Sequence, residues 1–355
     1  MIQSEPKISV CIPAYNRASV LSDLLESVLS QNFDDFELVI NEDCSPERDQ
    51  IRAIIERFIS KHPEKKIKYH ENQTNLGYDA NLRDLIERSS GEYCVFMGND
   101  DLMCPNALQT ITNVIGKYPN VGIYLRSFAT FEDNPKNIIQ HFKYFDKEIF
   151  FPSGASTITT FYKRSVVIPG VTLHRTSALK YSTNAFDGSL LYQIYLVANI
   201  LVDMNGVFSP EIVTLYRNGG IPDFGNSEAE KGKFVPKTRT IESSINFMQG
   251  MLKIAHATEI SRNVKIYKSI VNDLSNYSYP ILSVQADKPF IDFFKYYIEL
   301  IKLGLGKRPL FHLYFISIVL LGVHRMEFII GFIKQKLGYT PALGSVYKGH
   351  NQQNE

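Results

Sequence analysis

Ile8-Ser9-Val10-Cys11-Ile12-Pro13-Ala14-Tyr15-Asn16-Arg17, running directly into residues 18–29, is the stretch on which the fold turns. Ile8 to Ile12 is a short apolar run of strand character, after which Val20, Leu21, Leu24, Leu25, Val28 and Leu29 recur at helical spacing. The couplet repeats: 36–40 before 51–59, 67–69 before 80–87, 93–97 before 107–115, and then 121–125. Strand and helix in alternation predict an α/β fold with a mainly parallel, Rossmann-like sheet and helices on both faces. In such sheets ligands gather at the carboxyl ends of the strands, where loops and helix amino-termini converge. The residues that follow each strand are therefore the informative ones.

After the first strand stands Pro13-Ala14-Tyr15-Asn16-Arg17, after the second Asn41-Glu42-Asp43-Cys44-Ser45, and after the fourth Gly98-Asn99-Asp100-Asp101. Two acidic pairs and a tyrosine are thus expected around one cleft. Glu42 to Pro46 also reads as helix capping, since Asp and Ser ahead of a helix satisfy its free amides. Asp100 beside Asp101 is harder to assign to capping. Adjacent carboxylates repel unless donors or a cation compensate, and a hard divalent ion with oxygen ligands is the simplest compensation.

Composition narrows the class. With 355 residues, 44% hydrophobic and 21% charged, the chain can bury a sizeable core as one large or two medium domains. Lys and Arg (38) nearly balance Asp and Glu (37), so no global field attracts nucleic acid, and no nucleic-acid partner is expected. Cys11, Cys44, Cys94 and Cys104 lack metal-ligand spacing and are expected as free thiols. No Gly-x-Gly-x-x-Gly follows the first strand and no Gly-x-x-x-x-Gly-Lys occurs, which removes the phosphate loops of dehydrogenases and nucleotide hydrolases. The first twenty residues show no leader pattern, so a cytoplasmic location is expected and the triplets at Asn72 and Asn276 are chance matches to a glycosylation site.

The residues from Ser9 to Arg17, the acidic pair after strand two, Asn75-Leu76-Gly77 with Asn81 and Gly91, and Gly98-Asn99-Asp100-Asp101 resemble, in order and spacing, the signatures of the family 2 glycosyltransferases. That resemblance implies a GT-A fold and inverting transfer of a sugar from a nucleotide-diphosphate sugar to a hydroxyl of a glycan or polyprenyl-linked oligosaccharide, as in bacterial O-antigen or capsule synthesis. It implies that Pro13, Ala14 and Tyr15 line the nucleotide base, with Asn16 and Arg17 beside them. Asp43, next to Glu42, would bond the base or ribose, and Asn75, Gly77, Asn81 and Asn99 would complete the donor site. Asp100 would hold Mg²⁺ or Mn²⁺ with Asp101 in support. Two positions depart from the pattern: Glu42 replaces an aspartate, and Gly98 stands where the first acid of Asp-x-Asp is usual. A binding protein for nucleotide sugars without catalysis is the alternative these departures suggest.

Residues 166–175 resemble the family's later strand, and Asp187, ahead of a helix over about 190–201, occupies the place of the catalytic carboxylate; its other reading is a helix cap. Val213 to Arg217 resembles the strand and arginine that follow, with Arg217 facing the diphosphate or a surface ion pair, and 218–237 reads as a mobile loop over the donor. His174 and Arg175 are second-rank candidates. Residues 128–151 show no clear period and read as a variable loop.

The expected division is a catalytic part over 1–237, with a nucleotide-sugar half (1–125) and an acceptor and base half (126–237), followed by a helical region over 238–355. Ile241, Ile245, Met248, Leu252 and Ala255 mark its first helix. Leu310 to Val323 is too short to span a bilayer but is flanked by Lys307, Arg308, Arg325, Lys334 and Lys336, so residues 285–337 are expected to lie on the cytoplasmic face of the inner membrane or to complete a core.

Overall fold

The computed structural model describes residues 5–220 and 222–337. Its first half follows the alternation: β1 (Ile8–Ala14), α1 (Ala18–Leu29), β2 (Phe36–Glu42), α2 (Arg48–Lys61), β3 (Lys66–Glu71), α3 (Tyr78–Arg88), β4 (Tyr93–Phe96), β5 (Leu102–Met103) and α4 (Ala107–Gly116). Then come β6 (Val121–Phe131), β7 (Gln140–Phe142), β8 (Ile149–Phe151), α5 (Ala155–Tyr162), a 3₁₀ turn (Lys163–Ser165), β9 (Thr172–His174), α6 (Arg175–Lys180), α7 (Tyr192–Asp203) and β10 (Asn205–Arg217). The remainder is helical: α8 (Ile241–Ser261), α9 (Tyr267–Asn276), α10 (Tyr279–Ser283), α11 (Phe290–Lys302), α12 (Pro309–Leu321) and α13 (Val323–Leu337).

One sheet runs through the molecule in the order β3-β2-β1-β4-β9-β6-β10-β5, with β7 on β6 and β8 on β10. Strands β3, β2, β1 and β4 are mutually parallel, as are β6 and β10. The short β9 lies antiparallel between β4 and β6. From β1 the chain moves outward to β2 and β3, then returns to β4 on the other side of β1. The crevice beyond the carboxyl ends of β1 and β4 is therefore the switch point at which a ligand seat forms.

Successive side chains of a strand face opposite sides, and here both sides are core. Val10 and Ile12 of β1 with Tyr93 and Val95 of β4 pack on α1, α2 and α4, while Cys11, Cys94 and Phe96 face α3 and α7. That second core continues without a break through Met248, Met251 and Ile254 of α8, Ile270 and Leu274 of α9, Leu300 of α11 and Phe311 of α12. Each such side chain contributes on the order of 1.5–3 kcal/mol when fully buried.

Three local expectations change. Residues 128–151 are not simply a loop: β6 extends to Phe131 and β7 and β8 add two short strands. Only residues 172–174 of the later segment are strand, and a helix begins at Arg175. The helix expected from about 190 starts at Tyr192. Its start is held from elsewhere: the buried Asp79 carboxylate accepts the N–H groups of Ser189, Leu190 and Leu191 at 2.8 Å and of Tyr192 at 2.9 Å. Four unsatisfied amides would otherwise remain there. Asp79→Ala should therefore cost about 2–3 kcal/mol of unfolding free energy, measured as a lower urea midpoint with an unchanged slope.

Candidate active site

A cavity of about 340 Å³ occupies the switch-point crevice. Its walls include Pro13, Tyr15, Arg17, Asp43, Asn75, Gly77, Asn81, Asn99, Asp100, Asp101 and Arg217, which the segments after β1, β2, β3 and β4 and the end of β10 bring together. Asn16 and Arg17 turn the chain sharply after β1 in the left-handed conformation, φ 53° and 66°. Asn99 pins that turn, its amide donating to the carbonyls of Tyr15 (3.3 Å) and Asn16 (2.9 Å). Asn16 does not line the cavity; its amide donates to Asp223 at 2.8 Å.

The acidic pair after β2 divides its roles. Glu42 is buried and accepts from the N–H groups of Cys44 (3.0 Å) and Ser45 (2.7 Å) and from Arg48 (2.7 Å). It shapes the turn behind the cavity instead of lining it, and Ala14 is likewise buried in the core. Asp43 does line the cavity, accepting from Asn72 Nδ2 and Leu76 N at 2.8 Å and from Gly77 N at 2.9 Å. Burial pushes its carboxyl up to about 6, although these donors pull it down. Gly77 has φ 86°, and a side chain there would run into Ser227 and the Glu230 carboxylate. Asn81 is held by Asn41, whose amide donates to its Oδ1 at 2.6 Å.

At the end of β4, Asp100 faces the cavity and forms an ion pair with Arg17. Asp101 lies at the floor, buried, accepting Arg217 N at 2.9 Å. Burial raises Asp101 to about 7, against the pull of that amide and of the Arg17, Arg126 and Arg217 charges. A side chain at Gly98 would collide with the Asp101 carboxylate, which explains the glycine where an acid is usual. Arg217 lines the cavity, but its Nε donates to the Asp100 carbonyl at 2.9 Å and its other nitrogens reach the Glu132 carbonyl and Asp23.

Among the described residues no group of three or more His, Cys, Asp or Glu forms a ready-made metal cage. The donor set still fits a hard cation that takes one carboxylate oxygen, here from Asp100, and completes its shell with phosphate oxygens and water. Asp101, turned into the protein, supports the loop instead.

Asp187 is set apart from this lining. Its carboxylate forms a bidentate pair with Arg83 of α3, both distances 2.7 Å, and does not line the cavity. Arg83 was drawn there by a partner over a hundred residues away, which no local spacing reveals. The carboxylates that do face the cavity from the second half are Asp223 and Glu230, on the loop after β10. Glu230 is buried and committed, accepting from Tyr78 N and Gly225 N at 2.8 Å each. The Asp223 carboxylate accepts only the Asn16 amide among the described residues, while its backbone carbonyl accepts from Asn226. A glycine-rich loop without period gave no signal to single either out. His174 bonds Ser177 and Arg175 bonds the Ile86 carbonyl, both outside the cavity.

The fit of Asp101 against Gly98 is testable. Gly98→Asp should destabilise by about 1–3 kcal/mol through overpacking, and in a thermal-unfolding cycle with Asp101→Gly the double variant should lose less than the two single losses added.

Comparisons with known proteins agree with this geometry. Residues 9–181 match the family described as Glycosyl transferase family 2. The GalNAc(5)-diNAcBac-PP-undecaprenol beta-1,3-glucosyltransferase of Campylobacter jejuni is 30% identical over 107 residues, 30% of this chain and 33% of that protein. Abequosyltransferase RfbV of Salmonella typhimurium is 30% identical over 116 residues, 32% of this chain and 34% of that protein. The matched stretch thus spans about a third of each of these relatives. Among solved structures, S. aureus TarS 1-349 in complex with UDP-GlcNAc superposes with a TM-score of 0.53 at 16% identity, over 94% of this chain and 92% of that one. GalNAc-T7 with UDP, GalNAc and Mn²⁺ gives 0.52 at 14%, over 79% and 58%. These likenesses carry the GT-A fold. The match to glycosyl transferase family 2 thus lies in residues 9–181, just under half of the chain.

Proposed function

We propose that the protein is an inverting glycosyltransferase that moves a sugar from a nucleotide-diphosphate sugar to an acceptor hydroxyl. The observation that carries this reading is the convergence of Pro13, Tyr15, Arg17, Asp43, Asn75, Gly77, Asn99 and Asp100 on one cavity at the sheet's switch point. Tyr15, Asp43 and the 75–77 turn receive the nucleoside, and Arg17 faces the diphosphate, where a guanidinium suits phosphate geometry. Asp100 would hold Mg²⁺ or Mn²⁺, which when bound would supply a Lewis acid for the charge on the departing diphosphate.

In a single displacement the acceptor oxygen bonds to the anomeric carbon as the bond from that carbon to the phosphate oxygen breaks. The hydroxyl proton passes to a carboxylate, and the nucleoside diphosphate leaves. Asp223 suits that role. It faces the cavity and is the carboxylate there least engaged by backbone amides and cations.

The Campylobacter relative's name describes an undecaprenol-linked substrate, and that of the Salmonella relative a sugar transferase. We extend this to a glycan or polyprenyl-linked oligosaccharide acceptor in bacterial O-antigen or capsule synthesis, on the cytoplasmic face of the inner membrane. Among the described residues no helix is long and apolar enough to cross a membrane. Helices α11 to α13 nevertheless expose an apolar face: Ile291 is 68% exposed, Leu320 73% and Phe328 77%, with Phe294, Leu313 and Phe332 also open. Lys295 and Lys302 on α11 are paired with Asp292 and Glu299 one turn away, and Arg325 stands on α13. So many large apolar side chains left open on adjacent helices support their lying in the interface of a bilayer.

Three outcomes are expected. Asp223→Asn should lower kcat by about 10²–10⁴-fold with donor affinity nearly unchanged, whereas Asp187→Asn should chiefly lower Tm by releasing Arg83. The opposite pattern would return the base to Asp187, and donor binding without turnover in the unaltered chain would favour a binding protein. Chelation should abolish turnover, Mn²⁺ or Mg²⁺ should restore it, and Asp100→Ala should not be rescued. In flotation with anionic vesicles, Phe294→Asp/Leu320→Asp/Phe328→Asp should stay with the soluble fraction; equal flotation of both forms would remove the membrane assignment.

A further inference from the structure

A second cavity, of about 670 Å³, adjoins the first and falls within the roughly 300–1,000 Å³ of small-molecule sites. Leu190, Tyr216, Pro222, Phe224 and Phe247 line both, so a molecule in one meets a molecule in the other across a common doorway. Asp223 stands between Pro222 and Phe224 in the chain and faces the first cavity. A hydroxyl presented through the doorway therefore arrives at the segment that carries the carboxylate proposed as base.

The sheet supplies one wall of the second cavity, and its register sets three polar side chains in a row. Thr130 of β6 lies opposite Gln140 of β7 and opposite Tyr216 of β10, and directly opposed residues share a face. All three line the cavity, and Tyr216 lines the first one too. The Thr130 hydroxyl, on a residue only 4% exposed, has no hydrogen-bond partner among the described residues. The Gln140 side-chain amide and the Tyr216 hydroxyl have none among them either. A buried hydroxyl without a partner is costly to keep, so a bound molecule that supplies the missing bond gains by it.

Most other polar groups of the lining are engaged. Ser243 caps α8, Ser244 accepts from Gln285, and the Tyr296 hydroxyl donates to the Ile281 carbonyl. Lys163 pairs with Asp273 at 3.0 Å, and Arg164 donates to the Thr160 carbonyl at 2.6 Å. No Asp or Glu lines this cavity, so a ligand with a free ammonium group meets no countercharge there. Two residues along the strands from the polar row, Phe128 and Phe142 stack with centroids 4.6 Å apart as an aromatic wall, and Met248 and Met251 of α8 add apolar surface. A strip of neutral hydrogen-bonding groups beside apolar surface is the chemistry of a pyranose, whose rim of hydroxyls needs partners while its C–H faces lie on aromatic side chains.

We infer that this second cavity seats the acceptor's terminal sugar, a neutral pyranose whose hydroxyl rim is read by Gln140, Thr130 and Tyr216. Its C–H face lies on the aromatic wall, and the accepting hydroxyl points through the doorway toward Asp223. The inference rests on the first cavity being the donor site.

Methyl glycosides are the probes: both anomers of glucose, galactose, mannose, rhamnose and the two common N-acetylhexosamines, with methyl glucosaminide as the charged comparison. They are added to the full chain saturated with UDP or GDP and followed by saturation-transfer NMR. At least one neutral glycoside should bind, more tightly than the glucosaminide, and nucleotide should not displace it. Thr130→Val removes the unpartnered hydroxyl without opening space. It should weaken that glycoside about five- to tenfold, leave nucleotide affinity intact and hold or raise Tm, because no internal bond is lost. Gln140→Ala should weaken it similarly. Displacement by nucleotide, preference for the charged glycoside, or binding unchanged in both variants would each overturn the inference. So would a clear fall in Tm for Thr130→Val, which would mean that the hydroxyl is already bonded within the protein. Nucleotide binding with no response to any glycoside would sink this inference and leave the donor reading standing; no response to any nucleotide would sink the donor reading and this inference with it.

Discussion

Buried carboxylates that accept backbone N–H groups hold the functional end of this molecule together. Glu42 takes two from its own turn, Asp43 takes two from the 76–77 segment, and Asp79 takes four at the start of α7. Asp101 takes one from Arg217, and Glu230 takes one each from Tyr78 and Gly225. An ionised group removed from water is costly unless it is surrounded by donors, and loop amides are donors that helices and sheets leave over. The two needs are met together. Segments from five parts of the chain are fixed relative to one another without sharing a strand or a helix.

This arrangement separates scaffolding acids from acids free to do chemistry. Glu42, Asp79, Asp101 and Glu230 are each below 4% exposed and have their oxygens turned to amides or protein cations. Asp100 and Asp223 face the cavity with side-chain partners only, an arginine and an asparagine amide. Side-chain partners can be exchanged for a substrate or an ion by a rotamer change, whereas backbone partners move only if the loop moves. Burial and partner type therefore identify the chemically available groups better than acidity does.

The alternation from β1 to α4 was legible because its strands are short apolar runs and its helices carry a clear 3.6-residue stripe. Residues 128–131 of β6 were not, since both faces of that strand are buried and no alternation marks it. The motif residues at strand ends were legible because the sheet's topology carries them to one place whatever their individual partners. The surroundings of Asp187 were not legible for the opposite reason: its carboxylate is engaged by Arg83, and a contact between residues 104 apart leaves no periodic trace. The same holds for Asp79 and the α7 start, and for Asp223 on a loop whose glycines and prolines speak only of irregularity. Gly98 looked like a defect in a metal motif, and the structure gives it a steric cause in Asp101.

The unbroken core from Cys11 to Ile318 also bears on how the molecule melts and how it can be rebuilt. With α8 packed on α7 and Tyr162 bonded to the Met251 carbonyl, the sheet and the C-terminal helices share one cooperative unfolding unit. Exchanging the last third for that of a relative would strip the covering from the side of α7 where Asn199 meets Thr258 of α8, and would remove the Met251 carbonyl that Tyr162 of α5 bonds. Redirecting acceptor choice by grafting is consequently a problem of interface repair, and point changes within the aromatic wall are the tractable route.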